Sequence, residues 1–248
     1  GDWCPPWHIQ SVDTPRKFVG TWYYYHDTLL VAKAAEILGR DADARAYSER
    51  AEVIKKALNE AFPVTRQGER SSPKASQTML VLRLAMDLVP ADERSQLVEE
   101  LVQDIVVTHG GHLNTGIVGT RYLLDVLSHY DQADLAYRLL TQTTYPSWGY
   151  MIREGATTLW ERWEYLTGRG MNSHNHIMLG SIDAWLYRVL AGINVGAPGR
   201  GFTHIVVRPT PMGDLQSAGA TLRTPRGLVS ATWWRAADVF TLEARIPV

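Results

Sequence analysis

From about residue 20 to 195, apolar side chains recur every three or four positions, the period of helices with one buried face. Leu30, Ala34, Ile37 and Leu38 form one stripe, and Ala44, Tyr47, Ala51, Ile54 and Leu58 form a second. Gly39 stands at the junction and Asp41 follows as a cap, so the spacing predicts a tight reversal and an antiparallel helical hairpin. Further helices are predicted near 75–88, stopped by Pro90, and near 92–107, where Leu97, Leu101 and Ile105 share a face. Two more are predicted over 117–128 and 132–142. A last one, near 177–193, carries Ile182, Trp185, Leu186, Val189 and Leu190 on a stripe wide enough to need a large partner surface.

The pattern changes after Gly192. Gly196, Pro198, Gly199 and Gly201 make a linker-like stretch, and alternation of period two follows, clearest at Phe240, Leu242, Ala244 and Ile246. Strands are predicted at 203–208, 218–223, 228–234 and 240–246, the middle pair joined by Thr-Pro-Arg-Gly as a hairpin. In Trp233-Trp234 one ring must face inward and the other outward. The chain thus reads as mainly α: antiparallel helical hairpins over 1–195, then a small antiparallel β-sheet region over 196–248.

Composition narrows the partners. The 248 residues are 45% hydrophobic, enough for a substantial core, and 25 basic against 26 acidic residues leave a formal charge of -1. There is no broad basic field to attract nucleic acid or an anionic membrane. No apolar run reaches the length of a spanning helix, and the start has neither the basic nor the apolar part of a signal peptide. The single cysteine, Cys4, excludes an intramolecular disulfide and leaves the redox compartment open. Nine tryptophans are more than a core of this size demands, which leaves some for a ligand cleft.

The candidate chemistry lies at 154–164, where Glu-Gly-Ala-Thr-Thr-Leu-Trp-Glu-Arg-Trp-Glu gathers three carboxylates and two indoles. Pyranoses stack their apolar faces on indole rings, and breaking a glycosidic bond needs carboxylates to move protons around an oxocarbenium-like transition state. Thr158 to Glu161 also fits a capping box, in which the two side chains satisfy free amides at a helix start. Both readings are compatible with the spacing. Gly155 and the two threonines are poor helix material, so Glu154 and Glu161 are expected to flank a turn, with Glu164 exposed to solvent. The connectors at 109–116 and 145–150 are glycine- or proline-rich and are candidate cleft loops. Of the aromatic run Trp22 to Tyr25, some rings are expected to pack on a neighbouring helix and others to line the cleft. His109, His112, His174 and His176 lack the spacing of a zinc helix, and no glycine motif suits a nucleotide, so neither a metal nor a cofactor is expected.

Five segments resemble the α-L-rhamnosidases of glycoside hydrolase family 78. They are Gly-Asp-Trp-Cys-Pro-Pro at 1–6, His-Leu-Asn-Thr-Gly-Ile-Val-Gly-Thr at 112–120, Tyr-Pro-Ser-Trp-Gly-Tyr at 145–150, the acidic segment, and Met-Asn-Ser-His-Asn-His at 171–176. The resemblance spans nearly the whole chain and implies part of an (α/α)6 barrel followed by a β domain. It also implies inverting hydrolysis of terminal α-L-rhamnose, with a rhamnose-containing glycoside as substrate. By motif, Glu161 is then the general base, His176 a ligand to sugar hydroxyls and Trp3 a wall of the pocket. Asp2, Trp148 and Glu154 are supports of the same site.

The family's general acid lies in an Arg-Glu motif followed by a Trp-Thr-Gly-Asp segment, and nothing in the 248 residues matches it. About seven or eight helices are predicted, fewer than a closed barrel needs. The expectation is a truncated catalytic domain. A homodimer whose apolar faces cover one another is the expected arrangement of an incomplete barrel. A non-catalytic rhamnoside-binding or structural remnant and a related (α/α) glycosidase of other sugar specificity are the alternatives.

Overall fold

The first helix carries apolar residues on two faces, and the aromatic face takes the core. In a computed structural model, which describes residues 1–10, 13–64, 75–168, 173–196 and 201–247, helix α1 spans Arg16–Ile37. It buries Phe18, Val19, Trp22, Tyr25, Ala32 and Ala35, while Leu30 and Leu38 are 52% and 71% exposed. The stripe predicted from Leu30, Ala34, Ile37 and Leu38 is therefore the outer one. Large rings bury more area per position than the aliphatic residues opposite, which decides the rotation of the helix. Trp22 and Tyr25 are core and Tyr24 is exposed. Gly39, at φ +69°, reverses the chain into α2, Asp41–Ala61, which buries Ala51, Ile54 and Leu58 as its period requires.

The hairpin scheme continues with α3 (Gln77–Ala85), α4 (Ala91–Gln103), α5 (Ile117–His129), α6 (Ala133–Thr141) and the short α7 (Trp148–Arg153). A π turn over Asp104–Thr108 extends α4, so its apolar stripe runs unbroken through Leu97, Leu101 and Ile105. The predicted helix near 177–193 is less regular. It runs as a 3-10 segment (Ile177–Ser181), a single turn α8 (Ile182–Trp185) and a π segment (Leu186–Leu190). It ends before Gly192, whose φ of +81° turns the chain so closely onto Pro209 that a Cβ would lie 2.1 Å from the proline nitrogen. Eight α-helices are thus present among the described residues, and none is long and apolar enough to cross a membrane.

Beyond that turn, β1 (Ile193–Val195) pairs antiparallel with β2 (Ile205–Val207). A separate meander joins β3 (Ser217–Thr224), β4 (Gly227–Ala236) and β5 (Val239–Arg245). Thr224 opposes Gly227, which leaves Pro225-Arg226 as the predicted two-residue hairpin loop. Pro198 and Gly199 of the linker-like stretch lie outside the described residues. The first sheet strand falls three residues before position 196, because Gly192 rather than the later glycines ends the helical run.

Tryptophan indoles tie these layers together. Trp22 Nε1 donates to Leu82 O (2.8 Å), Trp185 Nε1 to Leu124 O (3.1 Å) and Ser128 Oγ (2.9 Å), and Trp233 Nε1 to Leu190 O (2.8 Å). Each ring fills the core while its one polar atom meets a carbonyl, so the burial leaves no unpaired donor. Trp233 is buried and Trp234 is exposed, as strand alternation requires. Through Trp233 the sheet is fastened to the last helical segment.

Candidate active site

The acidic segment folds without a helix. Residues 157–168 run in bends and irregular backbone, and several of their polar groups pair with 173–176. The Thr158 hydroxyl donates to His174 O, Glu161 N–H donates to Ser173 O (2.8 Å), and His176 N–H donates to Leu159 O (2.8 Å). The capping-box reading is overturned: Thr158 donates to a carbonyl where a cap would accept from an amide, and no helix follows. Trp160 and Trp163 point into the core on either side of Glu161. Trp163 Nε1 donates to Thr115 O (2.9 Å), and its ring meets Trp148 edge-on at 5.2 Å. Two buried indoles thus hold the backbone on which Glu161 stands.

Glu161 is 7% exposed. Its Oε1 accepts from Trp3 Nε1 (3.3 Å) and its Oε2 from Ser173 N–H (3.1 Å). The Ser173 amide holds its carboxyl below the usual range against the upward push of burial, aided by the Trp3 indole and by smaller pulls from His176 and Arg162. This is the state a general base requires: charged, oriented, and with lone pairs to spare. His176 stands at the start of the 3-10 segment, half-buried, and its Nδ1 is buried without a hydrogen-bond partner among the described residues. Met171 and Asn172 of its motif lie outside the described residues.

Because folding lowers the Glu161 value, its charge contributes stability that is complete above the unfolded value and fades as pH falls through the folded one. Wild type and Glu161→Gln are therefore expected to differ in urea midpoint near neutral pH and to converge on acidification. A gap that is constant from about pH 7 to about pH 3 would remove this contribution.

Asp2 is buried and spends both oxygens on the start of α5. Oδ2 accepts from Thr78 Oγ1 (2.5 Å) and Gly116 N–H (2.7 Å), while Oδ1 accepts from Val118 N–H (2.9 Å) and Gly119 N–H (3.4 Å). Burial pushes its carboxyl up, against the downward pull of those four donors. Gly116 meets the segment so closely that a Cβ would lie 2.1 Å from Trp3 O. Ile117 N–H also donates to Trp3 O (2.8 Å), so the α5 start fixes the ring that reaches Glu161. Trp148 is core, its Nε1 donating to Leu179 O (3.0 Å), and Ser147 caps its helix by accepting from Tyr150 N–H (2.9 Å). Glu154 is exposed at the end of α7 and pairs with Arg153 at 3.6 Å. The 109–116 loop turns at Gly110 and Gly111, both at positive φ, and Gln77 Oε1 accepts from Asn114 N–H (2.7 Å).

Glu164, expected at the surface, is 4% exposed. It accepts from Arg162 Nε (3.1 Å), from the Tyr145 hydroxyl (2.8 Å) and from the Trp7 amide. In a segment without regular secondary structure, tertiary partners decide which way a side chain faces. Burial, then the Glu164 carboxylate, pushes the Tyr145 hydroxyl well up, so it stays a donor. No local sequence signal links Glu164 to Tyr145 and Trp7, which come from three separate segments.

A run of antiparallel helical hairpins is thus followed by small antiparallel sheets, and a buried carboxylate is held by an indole and a backbone amide. Residues 1–190 match the model of the bacterial alpha-L-rhamnosidase 6 hairpin glycosidase domain, and 192–248 match that of the bacterial alpha-L-rhamnosidase C-terminal domain. The chain belongs to the bacterial α-L-rhamnosidase family. It is 39% identical to an alpha-L-rhamnosidase of Streptomyces avermitilis over 254 residues, an overlap of 100% of this chain and 23% of the relative. The solved alpha-L-rhamnosidase of Dictyoglumus thermophilum matches at 46% identity and TM-score 0.94, over 100% of this chain and 28% of that one. A Streptomyces avermitilis structure complexed with L-rhamnose matches at 37% and TM-score 0.87, over 100% and 23%. The chain therefore spans about a quarter of the length of the relatives it matches.

Proposed function

We propose that this chain carries the base side of an α-L-rhamnosidase that releases terminal α-L-rhamnose with inversion. The observation that carries the reading is Glu161, buried, charged and locked by Trp3 and Ser173, in a chain that belongs to this family. Glu161 takes a proton from a water as that water attacks the anomeric carbon. Trp3 walls the sugar, and the unpartnered Nδ1 of His176 meets a sugar hydroxyl. Asp2 and Trp148 act by position, holding the α5 start and the backbone behind Glu161. Glu154, paired with Arg153 at the surface, has no evident part. The general acid, about 6.5 to 9.5 Å from the base in an inverting pair, comes from outside these 248 residues.

An activated leaving group needs little acid assistance, and an alkoxide needs much. The chain is therefore expected to release 4-nitrophenol from 4-nitrophenyl α-L-rhamnoside and to leave methyl α-L-rhamnoside intact, with β-L-rhamnose as the first anomer seen by NMR. Release of the α anomer would overturn inversion. Absence of both release and L-rhamnose binding would overturn the reading, whereas binding without release would fit a rhamnoside-binding remnant.

A further inference from the structure

Trp7 is 69% exposed and yet held in place. Its backbone φ is +65°, a region that bulky L-residues rarely occupy and that persists only where surrounding contacts impose it. The contacts are visible. Its amide donates to the buried Glu164 carboxylate and to the Tyr145 hydroxyl (3.0 Å), and its ring leans on the Tyr145 ring with centroids 4.4 Å apart at 45°. Tyr145 and Arg162 in turn fix Glu164. A largely buried hydrogen-bonded network thus holds the backbone of a residue whose indole contributes almost no burial to the core. Such a ring, presented rigidly to solvent, is suited to receive a flat apolar face.

Its position says which part of a substrate that face belongs to. The 3–10 segment is closed on itself, with Trp3 paired to Gln10 and Cys4 N–H donating to Ile9 O (2.9 Å). At its base the half-buried Trp3 reaches Glu161, and at its tip Trp7 reaches Glu164, three residues further along the acidic segment. Cys4, Pro5 and Pro6 between them are buried, and of the two rings Trp3 is half-buried and Trp7 exposed, so the ring nearer the surface is the one farther along the segment from Glu161. In a site that encloses a terminal sugar, whatever projects outward is the leaving group. Resting on the rhamnosidase reading above, we infer that Trp7, backed by Tyr145, is the platform for the first ring of the leaving group, an aryl ring or a second pyranose. It sets selectivity for the aglycone and leaves recognition of rhamnose to Trp3 and His176.

The test is a binding titration of the whole chain with three probes: L-rhamnose, a phenyl 1-thio-α-L-rhamnoside and an S-linked rhamnosyl glucoside, the last two resistant to cleavage. Wild type is expected to bind the thiophenyl probe about tenfold more tightly than L-rhamnose, the size expected of a stacked ring. Trp7→Ala should erase that advantage with L-rhamnose affinity unchanged within about twofold, and Trp7→Phe should keep most of it. A matching loss with the S-linked disaccharide assigns the platform to pyranose faces as well; a loss confined to the thiophenyl probe assigns it to aromatic aglycones. If Trp7→Ala leaves thiophenyl affinity intact, or weakens all probes equally, the inference fails while the rhamnosidase reading stands. If wild type binds none of the three, both fail.

Discussion

Glu161→Gln is expected to lower rhamnoside turnover by about a thousandfold or more in any assembly of this chain that cleaves one, because the amide cannot accept the proton of the attacking water. The substitution keeps the shape of the side chain. Its oxygen can still accept from Ser173 or from Trp3, so the acidic segment should remain folded and L-rhamnose binding should change little. Glu154→Gln is the internal comparison. That residue is exposed and paired with Arg153, and its replacement should leave turnover within about twofold. Initial rates on 4-nitrophenyl α-L-rhamnoside, with rhamnose affinity measured beside them, separate loss of chemistry from loss of the pocket. Loss in Glu154→Gln with retention in Glu161→Gln would reverse the assignment.

The two carboxylates differ for reasons the sequence shows only in part. The helical period placed most of the hairpins correctly, since a stripe such as Leu97, Leu101 and Ile105 has one way to be buried. It failed on α1, where two apolar stripes coexist and only the size of the partner surface chooses between them. The sheet meander was legible because alternation and the Pro225-Arg226 turn agree in register. At 154–164 the residue types signalled sugar chemistry, yet spacing could not separate a helix cap from an irregular segment of bends. That choice rests on the partners at 173–176, which supply the hydrogen bonds a helix would otherwise have supplied itself. Glu164 was misplaced for the same reason. Its ligands, Arg162, Tyr145 and Trp7, converge only in the folded chain.

The largest expected loss of stability follows from Asp2→Ala. Asp2 acts as the N-cap of a helix more than a hundred positions away: its two oxygens accept from Gly116, Val118 and Gly119 at the start of α5, and from the Thr78 hydroxyl on α3. An ordinary surface cap contributes about 1 kcal/mol. Here the cap is buried, so alanine leaves several donors facing no acceptor, each at about 1–3 kcal/mol where water cannot enter. Partial relaxation and hydration bring the expected total to about 3–5 kcal/mol, readable as a fall in the urea midpoint with an unchanged slope. Thr78→Val removes one of the four bonds and should cost less, and in the double mutant the two losses should fall short of additive, as for residues of one network. A loss under about 1 kcal/mol for Asp2→Ala would show that the amides find water and that the cap is dispensable. If the loss is as large as expected, rhamnose affinity should fall with it, because Trp3 reaches Glu161 only while its own carbonyl is held by Ile117 at the start of the same helix.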